Sequence, residues 1–81
     1  MKNNNVCVVC EYGWIIKGVV YEQDNDEVVY LTDASVVRNW RNGKGIGGIA
    51  KVDNKNEYNL DAIGDVIINA DKVLFTIPCE W

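Results

Sequence analysis

The chain has 81 residues, 8 Lys and Arg against 12 Asp and Glu, a formal net charge of −4, three cysteines and no histidine. This length predicts a single small domain over residues 1–81, which we expect to be a β domain. The absence of histidine excludes Ser-His and Cys-His catalytic pairs, a histidine general base and histidine metal ligands. The acidic balance argues against a general duplex-binding protein, because neutralising phosphates requires a basic face.

Short apolar runs rich in Val, Ile, Tyr and Trp, separated by turn residues, predict β-strands along the chain. We expect them at residues 6–12, 14–22, 27–32, 36–41, 58–61, 65–69 and 73–77. Gly18 predicts a bulge or bend, Asp24-Asn25-Asp26 a hairpin turn, and Asp33-Ala34-Ser35 a corner. Hairpin connections dominate, which predicts a mainly β fold: a small antiparallel barrel or strongly bent sheet of five to seven strands.

The glycine-rich segment after residue 42 is the one break in this β pattern. Ile46, Ile49 and Ala50 follow the i, i+3, i+4 spacing of a short helical turn, which we place near residues 46–51. Residues 43–48 formally match the G-x-G-x-x-G pattern of dinucleotide sites, but the polar loop expected at residues 53–57 leaves no room for the long helix that such a site requires.

Basic and aromatic residues are concentrated next to this segment. On a strand, Arg38 and Trp40 share a face, where an indole could stack a base and a guanidinium could pair a phosphate. Backbone amides of the glycine loop could hold an anion as well. The candidate ligand-binding residues are Arg38, Trp40, Arg41, Lys44, Gly45 and Gly47. The alternative is that Trp40 lies in the core, Arg38 pairs with a carboxylate and the glycines form a tight connection.

The cysteines carry a weaker signal. Cys7 and Cys10 have C-x-x-C spacing, but residues i and i+3 of a strand point to opposite faces, and a zinc site needs a second pair where only Cys79 remains. We therefore expect core cysteines, no metal site and no cofactor. The odd cysteine number and the short apolar runs near the N-terminus predict a soluble, cytoplasmic protein without a membrane partner.

Three stretches resemble a largely uncharacterised family of short β-rich proteins from phages and prophages. They are Glu11-Tyr12-Gly13-Trp14 through Gly18; Val28 to Ala34, followed by Trp40 and Gly43, in a Leu-x-Asp-Ala…Trp…Gly pattern; and Ile46 to Ala50, followed by Asn59-Leu60, Val66 to Ile68 and Val73 to Pro78. The resemblance implies a fold and a phage origin, with the host cytoplasm as location, and it implies no activity.

Two functions remain open on these observations. The first is a non-catalytic phage-type binding protein, oligomeric, which holds a small anionic, nucleotide-like ligand between subunits and acts against host defence signalling. The alternative is a structural or accessory protein that binds another protein, such as a host protein, through aromatic surface and a sheet edge. An enzyme is disfavoured because no nucleophile is paired with a base, and nucleic acid is disfavoured as a partner by the net charge.

Overall fold

The computed structural model describes residues 4–22 and 25–81. Five strands form one antiparallel sheet: β1 (Asn5–Cys10), β2 (Ile15–Tyr21), β3 (Val28–Trp40), β4 (Tyr58–Asn69) and β5 (Val73–Pro78). Short 3-10 helices span Glu11–Gly13, Ile46–Ala50, Val52–Glu57 and Ala70–Lys72. The predicted mainly β fold and the helical turn near residues 46–51 are confirmed. The predicted turn at residues 24–26 lies partly outside the described residues, since Asp24 is not among them.

The order of strands in the sheet is β4-β3-β2-β1-β5. Each consecutive pair of strands from β1 to β4 forms an antiparallel ladder, and β5 returns to pair with β1. Strands β4 and β5 therefore form the two outer edges of the sheet. Within residues 4–22 and 25–81, the longest connection joins β3 to β4, and it carries the two longest 3-10 helices.

A line of irregular positions crosses the middle of the sheet and bends it. The β2–β3 register shifts around Gly18, the β3–β4 register shifts between Leu31 and Ala34, and the extra residue in β3 is Asp33, with φ of +49°. Opposite Ala34 on β4 lies Gly64, with φ of +80°. A bulge adds one residue to a strand, so the strand bends while its pairing continues. The predicted corner at residues 33–35 is therefore a bulge inside one strand, and the seven predicted runs become five strands.

Two hydrophobic cores lie on opposite faces of the bent sheet. The first contains Cys7, Val37, Ile49, Tyr58 and Cys79. The second contains Val8, Cys10, Ile16, Leu31 and Ala34. Alternation along β1 sends Cys7 to one core and Cys10 to the other, as predicted for strand residues three apart. The β3–β4 connection covers the first core and contributes its buried Ile49. No helix within residues 4–22 and 25–81 is long and apolar enough to cross a membrane.

Candidate functional site

The basic residues predicted to bind a ligand are largely engaged with carboxylates. Arg38, on β3, places Nη1 2.5 Å from Asp61 Oδ2 on the neighbouring strand β4. Lys44 Nζ lies 3.0 Å from Glu57 Oε2. Arg41 is exposed and makes no ion pair within the part of the chain that the structure describes. Arg38 and Lys44 would therefore have to break an ion pair to bind an anion, whereas Arg41 would not.

Trp40 is held by the first core. The β3–β4 register shifts between Val37 and Asn39, and this bulge interrupts the strict alternation predicted for this strand, so that Val37 and Trp40 both pack on that core. The Trp40 ring lies 5.8 Å from that of Tyr58, at an angle of 39°. A shallow cavity of about 390 Å³ remains beside the indole, lined by Arg38, Asn39 and Trp40.

The glycine loop is a tight connection anchored on Tyr58. Its hydroxyl donates a 2.6 Å hydrogen bond to the Gly45 carbonyl, and Gly45 has φ of +68°, a conformation that favours glycine. The Lys44 N–H already donates to Asn42 Oδ1 at 2.9 Å. Gly47 is exposed within the 3-10 helix. Tyr58 thus contacts both Trp40 and Gly45, and a ligand-binding role for the six predicted residues stays a prediction.

The buried titratable groups form a structural cluster. Lys17 is 6% exposed; its ammonium group donates to the main-chain oxygen of Trp81 and lies 4.0 Å from the centre of the indole ring. Burial lowers the pKa of Lys17. Burial, together with the nearby Cys79, raises the pKa of Cys7 to about 12, and burial also raises the pKa of Cys79. Thiols that stay protonated at neutral pH are poor nucleophiles and poor metal ligands.

No group of three or more His, Cys, Asp or Glu side chains is placed to hold a metal ion among residues 4–22 and 25–81.

A second surface, which the sequence did not single out as a site, surrounds the β1–β2 turn. Tyr12 and Gly13, in the three-residue 3-10 helix Glu11–Gly13, both have positive φ, +63° and +79°, in the left-handed region that favours glycine. The Cys10 N–H closes this turn with a 2.8 Å hydrogen bond to the Trp14 carbonyl. The Tyr12 side chain is 96% exposed and that of Trp14 is 59% exposed. The signal in the sequence is Tyr-Gly in a short connection between two apolar runs, where asparagine or glycine is the usual residue at a position of positive φ.

An apolar cavity of about 400 Å³ lies between this turn and the end of β4. Its lining includes Tyr12 and Trp14 from the turn, Ile16 from β2 and residues 66–69 from β4. Glu11 and Lys72 also line it, and their charged groups are 3.8 Å apart. The opening therefore carries one positive and one negative charge beside two exposed aromatic rings.

The two edges of the sheet form a third surface. Neither β4 nor β5 has a second neighbouring strand among the described residues. Both carry large apolar side chains in contact with solvent: Ile63 and Ile67 on β4, and Leu74 and Phe75 on β5. An exposed strand edge presents unpaired N–H and C=O groups, and most proteins protect such edges with charges, bulges or covering segments.

Comparison with known proteins identifies the fold. No family model matches the chain, and no curated protein matches it. A heptameric archaeal Sm protein, described with implications for the eukaryotic snRNP core, is 20% identical, with 94% of this chain and 85% of that chain covered and a TM-score of 0.61. The SmAP1 heptamer of P. aerophilum is 19% identical, with 98% of this chain and 82% of that chain covered and a TM-score of 0.63. The chain has an Sm-like fold.

This fold corrects the function expected from the sequence. The prediction of a phage-type protein that binds a small nucleotide-like ligand and acts against host defence signalling is wrong, because the chain shares its fold with Sm proteins. The physical reason is visible at the predicted site, where Asp61 and Glu57 engage the cations Arg38 and Lys44. The prediction that nucleic acid is an unlikely partner rests on net charge alone, whereas one of the structural neighbours is described with implications for a ribonucleoprotein core. The resemblance to phage and prophage proteins stays a prediction.

Proposed function

We propose that this chain is a non-catalytic subunit of a ring-shaped, Sm-like assembly that holds single-stranded RNA. The observation that carries the proposal is the pair of sheet edges, β4 and β5, which lie at opposite ends of one bent sheet and have no second neighbouring strand among the described residues. The heptamers formed by both structural neighbours support a ring, and the mention of a ribonucleoprotein core for one of them supports RNA as the partner.

The two edges are suited to each other. Strand β4 carries Asp61 and Asp65, so pairing β4 with a second β4 would bring like charges together, which is unfavourable. Strand β5 has no charged residue between Val73 and Pro78 and exposes Leu74, which is 63% exposed. Pairing β4 of one copy with β5 of the next is a head-to-tail contact, and such contacts generate rings when the rotation between subunits closes.

The charge of the chain limits how RNA is held. A net charge of −4 per subunit leaves few cations for phosphate contacts, and Arg41 is the one of the predicted cations without a carboxylate partner among the described residues. Base stacking on exposed aromatic side chains is a second source of affinity, and it requires no net positive charge. We therefore expect single strands rather than duplexes to bind, with a weak dependence on salt.

The ring is tested by the mass of the assembly in solution. Multi-angle light scattering after gel filtration should give an oligomer for the unchanged protein. It should give monomers for Ile63→Lys on β4 and for Leu74→Lys on β5, because each buries a lysine in the subunit contact. Tyr21→Lys changes an exposed aromatic residue on β2, away from both edges, and should leave the oligomer intact.

Mixing the two edge variants tests the direction of the contact. Each variant keeps one intact edge, so the mixture can form a single β4–β5 contact and should yield a one-to-one dimer that neither variant forms alone. An unchanged protein that stays monomeric at about 50 μM, well above the dissociation constants of stable assemblies, would contradict the ring. A dimer of the Leu74→Lys variant alone would contradict the head-to-tail direction.

RNA binding is tested separately by fluorescence anisotropy of labelled ten-nucleotide oligo(A) and oligo(U), with a duplex of the same length as control. We expect at least one of the single strands to bind and the duplex not to bind. For Arg41→Ala, the slope of the logarithm of the binding constant against the logarithm of the salt concentration should become smaller in magnitude by about 0.7, the value for one lost phosphate contact. Failure of both single strands to bind at 50 mM salt would contradict the RNA function and leave the ring to be judged on its own experiment.

A further inference from the structure

The cavity beside the β1–β2 turn has the properties of a base-binding site. We propose that Tyr12 and Trp14 stack an unpaired nucleobase of the bound RNA, with the apolar cavity behind them receiving the base. This inference rests on the proposed RNA function, and it assigns a specific site to it.

The backbone of Tyr12 is the first support for this site. A tyrosine with φ of +63° holds a conformation that glycine and asparagine adopt with less strain. Its ring is 96% exposed, so it contributes almost nothing to the packing of this chain. Strained residues whose side chains make no internal contact are concentrated at binding sites, where an external partner accounts for them.

The chemistry of the cavity is the second support. Its lining includes the apolar side chains of Ile16, Val66 and Ile68 together with Trp14, which is 59% exposed. These surfaces match the flat apolar face of a base, while the Asn69 amide in the lining can both donate to and accept from a base edge. A volume of about 400 Å³ lies in the range of small-molecule sites.

The charges at the opening favour a base over an isolated phosphate. Glu11 and Lys72 compensate each other at 3.8 Å, so the opening has no excess positive charge to hold a free anion. A base is neutral, and stacking on aromatic rings provides much of its affinity. Removing one stacking side chain should therefore weaken RNA binding about tenfold.

The test compares three variants with the unchanged protein, using anisotropy of labelled oligo(A) and oligo(U). Tyr12→Asn keeps a residue suited to the turn, so the fold should be at least as stable by thermal unfolding, while binding of the preferred oligonucleotide weakens about tenfold. Trp14→Ala should weaken it similarly. Tyr21→Asn makes the same chemical change at an exposed tyrosine whose ring centre lies 5.2 Å from that of Tyr30, with the rings tilted by 45°, and this variant should bind RNA as the unchanged protein does.

The outcomes separate this site from the broader function. Equal binding by Tyr12→Asn, Trp14→Ala and the unchanged protein would overturn the stacking site and leave the RNA function standing. Absence of RNA binding by the unchanged protein would overturn both. Quenching of tryptophan fluorescence, measured against the Trp14→Ala variant, checks the chemistry of the occupant. If N-acetyl-phenylalaninamide perturbs Trp14 and neither adenosine nor uridine does, the cavity receives protein side chains and the proposal is wrong.

Discussion

Cys7 offers a quantitative test of the conclusion that the buried thiols are structural. It lies on β1 with no exposed surface, and burial raises its pKa from 9.0 to about 12. In the unfolded chain the thiol ionises above pH 9, whereas in the folded chain it keeps its proton up to about pH 12. The unfolded state therefore holds fewer protons in this range, and the free energy of unfolding falls as the pH rises.

The magnitude follows from the two pKa values. Well below pH 9 the thiol is protonated in both states, and it contributes no pH dependence. Between pH 8 and pH 10 the ionisation of the unfolded thiol lowers the free energy of unfolding by about 1.4 kcal/mol, and each further pH unit up to the folded pKa adds a similar amount. Lys17 acts in the opposite sense, because its lowered pKa lets the folded lysine lose its proton at a lower pH than the unfolded lysine, and stability increases with pH in that range.

The assay is urea unfolding of the unchanged protein and of Cys7→Val at pH 8 and pH 10, at equal protein concentration and with a reductant present. Valine has a similar volume and does not titrate, so contributions of Lys17, Cys10 and Cys79 largely cancel in the comparison. The unchanged protein should lose about 1.4 kcal/mol more than the variant between the two pH values. Parallel losses in the two proteins would refute the reasoning, since they would mean that Cys7 ionises equally in both states.

Three further substitutions test the fold. Tyr12→Asn should raise the free energy of unfolding by about 1 kcal/mol, because asparagine relieves the backbone strain at φ of +63°; a lower thermal midpoint would argue against strain at this turn. Gly18→Ala should lower it by about 1–3 kcal/mol, because a Cβ would lie 3.2 Å from Ala34 Cα and Leu31 Cβ; unchanged urea unfolding would mean that the bend relaxes freely. Leu31→Ala should lower the free energy of unfolding by about 2–5 kcal/mol, because removal of its fully buried side chain leaves a cavity in the second core. A loss below about 1 kcal/mol in the same urea assay would show that the core collapses around the cavity.

Local sequence signals predicted much of the fold. Apolar runs between turn residues locate all five strands, Gly18 predicts its bulge, and the spacing of Ile46, Ile49 and Ala50 predicts the 3-10 helix. The continuous strand through Asp33 was not predicted, because a residue that breaks local alternation looks the same in the sequence whether the chain turns or only bulges. Pairing with β2 and β4 distinguishes the two, and pairing is a property of the whole sheet.

The site depends on contacts between distant parts of the chain. The carboxylate that engages Arg38 lies 23 residues further along, and the one that engages Lys44 lies 13 residues further. The cavity at Trp14 is completed by residues 66–69 of β4. Composition identifies these side chains as cations or aromatics, but only the folded sheet determines which are neutralised and which remain exposed.

The line of Gly18, Asp33 and Gly64 has a consequence for the size of the proposed ring. A head-to-tail contact repeats one rotation, and the number of copies needed to return to the start is fixed by the angle between the two edges of a single sheet. That angle is set where the sheet bends, far from the contact itself. A substitution at Gly64 that flattens the bend would leave the affinity between neighbours intact and change the circumference, from one closed ring to a wider ring or to an open filament.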